Sequence, residues 1–210
     1  WTIYADLSEL IQALKDGLPQ QLLGAVTSND VNSVKQYLTM GADPNTRNIS
    51  TGLTVLMMAA CQNQPEIVRL LLKSGADVFT TDSNTGATAL HKACQGQSAE
   101  IAKLLTDAGS FIDAVTPTMG HTPIMDALWY LAPDVVKHIV SCKPNLNTKT
   151  HYGFSLWDHL EYESNVQATV EGKSTMAAIK SDIEGYRDEC QARIDQQKVM
   201  AATEKGDVEL

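Results

Sequence analysis

Apolar and polar residues alternate along most of this chain in a pattern that predicts pairs of short helices. Each unit begins with a glycine, and a hydroxyl residue that we expect to cap a helix follows two positions later. Apolar residues then recur at helical spacing, and a polar break precedes a second amphipathic helix, as in 66–73 and 134–140. The glycines are Gly52, Gly86, Gly120 and Gly153, and the hydroxyl residues are Thr54, Thr88, Thr122 and Ser155.

These units recur with a nearly constant period. The four glycines that open them are 34, 34 and 33 residues apart. A second series is in phase with them and consists of Gly41, Gly75, Gly109 and Lys143, with steps of 34 residues. Two independent landmarks that share one period indicate a solenoid of helix pairs. We expect the three glycines of this second series to adopt the left-handed conformation that ends a helix.

Helix, turn, helix and loop at this period resemble the ankyrin repeat. The resemblance is clearest in Thr88-Ala-Leu-His91, in 66–72 and in Lys73-Ser-Gly-Ala-Asp-Val78, and it covers roughly residues 19–163. It implies an all-α solenoid that binds a partner protein through its concave face and its hairpin tips.

One motif position varies among the units. His91 matches the histidine of the ankyrin motif, whereas Met57, Met125 and Asp158 stand at that place in the other copies. We therefore expect the local hydrogen bonds of the histidine to be lost in those three units.

We predict an all-α fold: an ankyrin-repeat solenoid of helix-turn-helix units with short hairpin loops, closed by helical caps at both ends. A capping helix is expected over 1–18, ended by Gly17. About four to five repeats follow over 19–163, of which the first and the last are degenerate. A linker and a long capping helix are expected over 164–200, and a flexible tail over 201–210.

The long helix allows more than one interpretation. Its apolar residues between 174 and 200 keep a spacing of 3 or 4, which suits a helix packed on the last repeat. The same spacing suits a coiled-coil homodimer or a helix that binds a partner. We expect a monomer rather than a dimer, because three heptads with few leucines are at the lower limit for a coiled coil.

Composition narrows the function. The net charge is −9 and no run of Lys or Arg occurs, so we expect no nucleic-acid partner. No apolar stretch is long enough to span a membrane. Four cysteines without C-x-x-C spacing favour a reducing, cytoplasmic location. Because the chain begins at Trp1 and its N-terminus looks trimmed, a secreted, periplasmic or host-delivered protein stays open.

The sequence motifs predict no catalytic residue, no metal site and no cofactor. The five histidines form no H-x-x-x-H pair, and no Cys/His cluster has zinc spacing. We predict that the chain is not an enzyme and acts as an adaptor, an inhibitor, a bacterial effector or a toxin-immunity protein. The alternative is a regulatory or targeting part of a larger enzyme whose catalytic domain lies elsewhere.

The resemblance implies partner contacts at the hairpin tips and at the exposed ends of the first helices. The residues at these positions are Leu53, Gln62, Ala87, Gln95, Met119, His121, Trp129, Tyr130, Tyr152 and Phe154. The earlier copies offer small or polar groups, and the later copies offer aromatic ones, which are typical of interface hot spots. The alternative is that the C-terminal helix or residues 164–173 cover these rings as part of the cap.

Overall fold

The computed structural model describes residues 12, 17–167 and 169–204, except for the side chains of residues 199 and 201–204. Its helices are α1 (helical over 17–27), α2 (Val31–Thr39), α3 (Val55–Cys61), α4 (Pro65–Lys73), α5 (Ala89–Gln95), α6 (Ala99–Asp107), α7 (Pro123–Trp129), α8 (Pro133–Ser141), α9 (Leu156–Val166) and α10 (Val170–Glu204). None of the described residues lies in a β-strand. The all-α prediction is confirmed.

The helices form two rows. The first helices of the units pack in the order α3, α5, α7 and α9, and the second helices pack in the order α2, α4, α6 and α8. Within each unit the two helices also contact each other. This arrangement confirms the predicted solenoid of helix pairs.

Small side chains let the first helices approach closely. Ala59, Ala93 and Ala127 are equivalent residues, and each is fully buried. The second helices contribute larger apolar side chains, such as Ile67, and each buried residue of that size contributes about 1.5–3 kcal/mol. The same periodic positions therefore form both the helices and the core.

The turns between units follow the predicted chemistry. Gly41, Gly75 and Gly109 have φ values of 94°, 90° and 92°, which confirms the left-handed helix ends. Thr54 caps α3 by accepting a hydrogen bond from Met57 N. Thr122 begins α7 but makes no such bond, and its hydroxyl is buried without a partner.

The expected loss of motif hydrogen bonds in the last unit is wrong. Asp158 Oδ2 accepts hydrogen bonds from Ser155 N and Ser155 Oγ, both at 2.6 Å. The carboxylate thus does at α9 what His91 does at α5, because both place an acceptor three residues after the cap. Met57 and Met125 are buried apolar residues of the core.

The boundaries near both ends differ from the prediction. Gly17 does not end a helix, because it is itself helical. The rest of the predicted N-terminal capping helix, apart from residue 12, lies outside the described residues. The polar segment 164–173 is mostly helical, since α9 extends to Val166 and α10 begins at Val170. In the predicted tail, 201–204 are helical and 205–210 lie outside the described residues.

The first part of α10 occupies the place of a second helix in the last unit. It packs against α8 and α9, as a second helix packs against its neighbours in the other units. Met176, Ile179 and Ile183 are at most 2% exposed. These apolar residues are therefore used within the chain, and a homodimer through this helix would use its exposed residues, such as Ile194.

Candidate functional site

The aromatic residues of the later units meet around one cavity of about 340 Å³, which we call the aromatic cavity. It is formed by the end of α7, by the hairpin loop before α7 and by the loop before α9. The lining residues are Gln95, Met119, His121, Asp126, Trp129, Tyr130, Thr150, Tyr152, Phe154 and His159. The structure thus brings together seven of the residues that the sequence pattern selected for partner contacts.

The repeat explains why these residues are neighbours. His121 and Phe154 follow the glycines of two successive units, so they lie at equivalent heights on adjacent loops. The loops are in direct contact, because His151 N donates a hydrogen bond to Met119 O at 3.1 Å. Gly120 permits this approach, because its φ is +77° and a Cβ there would lie 2.7 Å from His151 N.

The rings around the aromatic cavity are open to solvent. Tyr152 is 72% exposed, Phe154 54%, Trp129 50% and Tyr130 41%. None of the described residues of α10 or of the segment 164–173 lines the cavity. The alternative that the cap covers these rings is therefore wrong.

A carboxylate lies at the base of the aromatic cavity. Asp126 is 7% exposed. Its Oδ1 accepts a hydrogen bond from His121 Nδ1 at 3.0 Å, and its Oδ2 accepts one from Gln95 Nε2 at 3.3 Å. Each oxygen of a carboxylate has a second acceptor position. The base of the cavity is therefore acidic and held in place by two neighbouring units.

The motif histidine of the preceding unit supports this base. His91 Nδ1 accepts from Thr88 N at 3.2 Å, so its Nε2 carries the proton and donates to His121 O at 3.2 Å. Burial lowers the pKa of His91, which keeps the imidazole neutral at neutral pH. A fixed neutral tautomer gives the loop of His121 a defined position.

A second histidine completes the wall beside His121. The ring centroid of His159 lies 5.4 Å from that of His121 in an edge-on arrangement, and 6.1 Å from that of Phe154. Its Nε2 is buried and has no hydrogen-bond partner. The pKa of His159 is lowered mainly by burial and, to a smaller extent, by His121. This ring is therefore predominantly neutral at pH 7.

Three of the predicted contact residues do not join the aromatic cavity. Ala87 is only 2% exposed, because its hairpin folds back so that Ala87 N donates to the Asp82 carboxylate at 3.2 Å. The expected surface role of Ala87 is therefore wrong. Leu53 is half-buried against the core, and the exposed Gln62 accepts a hydrogen bond from Gln64 Nε2 at 2.8 Å.

Two important residues were missed by the selection from sequence. Asp126 and His159 lie inside first helices, whereas only hairpin tips and helix ends were considered. Asp126 did leave a signal, because it is the one charged residue in the otherwise apolar α7. His159 left none, since its role depends on the neighbouring unit.

The described residues contain no group of three or more His, Cys, Asp or Glu side chains placed to hold a metal ion. All four cysteines are free thiols. None of the helices in the described part of the chain combines the length and the apolar character needed to cross a bilayer.

Comparison with known proteins agrees with the repeat pattern. A family model described as ankyrin repeats in three copies matches residues 22–116 and 74–150, which together make up more than half of the chain. No curated protein matches the sequence.

Proposed function

We propose that this chain, which belongs to the ankyrin-repeat family, binds a partner protein through the aromatic cavity and the adjoining ends of the first helices. Ankyrin repeats are in general protein–protein interaction modules, and the family is typically non-catalytic. An adaptor, an inhibitor, a bacterial effector and a toxin-immunity protein all act by such binding.

One observation is the main support for this proposal: exposed aromatic side chains from one loop and one helix end converge on a single cavity. Large apolar side chains grouped on a surface are uncommon unless a partner covers them. Trp and Tyr are also enriched among the residues whose truncation costs most binding energy.

The partner must contact more than the cavity. A stable interface buries roughly 1,200–2,000 Å² in total, or about 800 Å² on each side. The cavity rings supply only part of that area, so the earlier units contribute the remainder. Gln95 at the end of α5 already lines the cavity, and Gln62 is an exposed polar residue at the end of α3, one unit earlier on the same row of helices.

The test compares capture of proteins from native lysate by the wild-type chain and by Trp129→Ala/Tyr130→Ala. The matched control is Phe79→Ala/Phe111→Ala, which removes two exposed rings whose centroids are 4.9 Å apart and which do not line the cavity. We expect a partner that wild type and control retain and that the cavity variant loses. Circular dichroism of all three chains should be the same.

The captured partner is then purified and titrated by calorimetry against the same three chains. Equal affinity for the cavity variant and wild type would contradict the proposal, because the cavity would then contribute nothing. Loss of affinity in both variants would place the contact on a wider surface than the cavity.

A further inference from the structure

We infer that the aromatic cavity receives an arginine side chain of the partner, with the guanidinium stacked on the exposed rings above the Asp126 carboxylate. This inference rests on the proposed function and deepens it, because it states the chemistry of the group that the partner inserts.

The walls of the cavity suit a planar cation. A guanidinium over an aromatic face is attracted by the negative face of the ring, and Trp and Tyr are better partners than Phe. Trp129, Tyr130 and Tyr152 all line the cavity and all are at least 41% exposed. The chain already makes this contact elsewhere, since Arg187 Cζ lies 5.1 Å from the ring centroid of Trp157.

The base of the cavity supplies a negative charge. The Asp126 side chain is 10% exposed, so water screens its charge less than it would screen a surface carboxylate. The pKa of the Cys94 thiol is raised well above its usual value, first by burial and second by the negative charge of Asp126. The field of Asp126 therefore reaches a buried neighbour. A cation at the cavity mouth lies in the same field.

Among the described lining residues, none is a permanent cation that would neutralise the Asp126 carboxylate. In the described part of the chain, the lining includes neither lysine nor arginine. His159 is predominantly neutral at pH 7 because burial and His121 lower its pKa. The whole chain has a net charge of −9, which also favours approach of a basic surface.

Arginine fits this lining better than lysine does. An ammonium is strongly hydrated and needs acceptors for three donors, whereas a guanidinium is weakly hydrated and stacks flat. The charged acceptor, Asp126, is recessed below the exposed rings, and Thr150 Oγ1 already accepts a hydrogen bond from Phe154 N at 3.1 Å. A stacked guanidinium can keep its remaining N–H groups toward water at the open mouth.

The test uses two small probes of the same shape, N-acetyl-arginine amide and N-acetyl-citrulline amide, which differ in the charge of the terminal group. Binding is followed by the NMR shift of the Trp129 indole N–H, assigned with Trp129→Phe. We expect the arginine probe to bind about tenfold more tightly than the citrulline probe. The corresponding lysine probe should bind more weakly than arginine.

Asp126→Asn provides the matched variant, because it keeps the shape and removes the charge. We expect it to reduce the preference for arginine over citrulline, with the remaining amide resonances unchanged. Equal binding of arginine and citrulline to the wild-type chain, or the absence of any indole shift with arginine, would overturn the inference.

These results are separable from the test of the proposed function. A partner that depends on Trp129 and Tyr130, together with an arginine probe that does not bind, leaves the proposed function standing and overturns the arginine inference. An arginine probe that binds, without any protein that depends on the cavity, supports the arginine site and contradicts the proposed function.

Discussion

The ends of the first helices in the earlier and later units have the same backbone position and very different surfaces. Gln62, Gly96 and Tyr130 are equivalent residues, 34 apart in sequence. Gly96 packs so closely on the preceding unit that a Cβ would lie 2.7 Å from the carbonyl oxygens of Ala60 and Cys61. At the equivalent place Tyr130 is 41% exposed and lines the aromatic cavity. The period therefore determines the scaffold, and departures from it determine what the surface can bind.

The largest expected effect comes from breaking the scaffold itself. Leu90 is fully buried in α5, and Leu90→Ala should lower the free energy of unfolding by about 2–5 kcal/mol, measured by urea denaturation. The exposed counterpart is Tyr152→Ala, which removes a ring that is 72% exposed and should change stability by no more than about 0.5 kcal/mol. Similar losses in both variants would mean that the cavity rings are part of the core.

Trp129→Ala tests whether the aromatic surface of the later units contributes to partner binding. We expect it to raise the Kd for the captured partner by about 30-fold or more, as for truncation of a hot-spot residue of at least ~2 kcal/mol. The free energy of unfolding should change by no more than about 0.5 kcal/mol, since Trp129 is 50% exposed.

The Kd is measured by calorimetry, with two control variants. Gln62→Ala changes the end of an earlier helix, and Phe111→Ala removes an exposed ring outside the cavity. We expect neither to raise the Kd more than about threefold, as for a contact outside the hot spot. A larger effect at Gln62 than at Trp129 would reverse the comparison between earlier and later units.

The fold could be predicted from sequence because its determinants are local and periodic. Gly75 ends its helix by its own backbone freedom, and Thr54 caps its helix through its own hydroxyl, without help from distant residues. The sequence predicted a long helix packed on the last repeat, but not that its first part takes the place of a second helix, because extra residues before it shift its apolar positions out of phase. A fixed repeat period does not reveal a helix that packs in the same place but begins at a different distance from the preceding helix.

The site could be predicted only in part, for a related reason. Trp129 and Tyr152 were selected because the ankyrin resemblance implies partner contacts at first-helix ends and hairpin tips, and both residues line the aromatic cavity. Asp126 was missed because its importance arises from contacts with His121 and Gln95, and these depend on how two units pack. Ala87 was wrongly selected because the backbone path of its hairpin turns it inward.

Gly96→Ala tests how closely the end of α5 packs on the preceding unit. Because a Cβ would lie 2.7 Å from two carbonyl oxygens, the units must move apart. We expect a loss of about 1–3 kcal/mol in the free energy of unfolding. The control is Gly185→Ala in α10, where no atom lies within 4 Å of the added Cβ. That change should stabilise the chain by up to about 1 kcal/mol, because alanine favours helix. Equal effects at the two positions would contradict the close packing at Gly96.

The smallest expected effect concerns the hairpin tips. At one equivalent position, different side chains accept the backbone hydrogen bonds of the tip. Asp82 Oδ1 accepts hydrogen bonds from Asn84 N and Thr85 N at 2.8 and 2.6 Å, and the equivalent Thr150 Oγ1 accepts from Phe154 N at 3.1 Å. Only the carboxylate can titrate. Burial raises the pKa of the Asp82 carboxyl. The hydrogen bonds from Thr85 and Asn84 and the positive charge of Lys92 outweigh burial, and the pKa falls from 3.8 to about 2.

A lowered pKa in the folded state makes this tip stabilising above the unfolded pKa of 3.8 and progressively less so as the pH falls toward 2. We expect Asp82 to contribute roughly 1–2 kcal/mol to that loss. Urea denaturation at several pH values should show a flatter profile for Asp82→Asn over this range. Thr150→Val, which removes the equivalent acceptor of the later unit, should lower stability equally at every pH. An unchanged acid slope in Asp82→Asn would show that the earlier and later tips do not differ in this way.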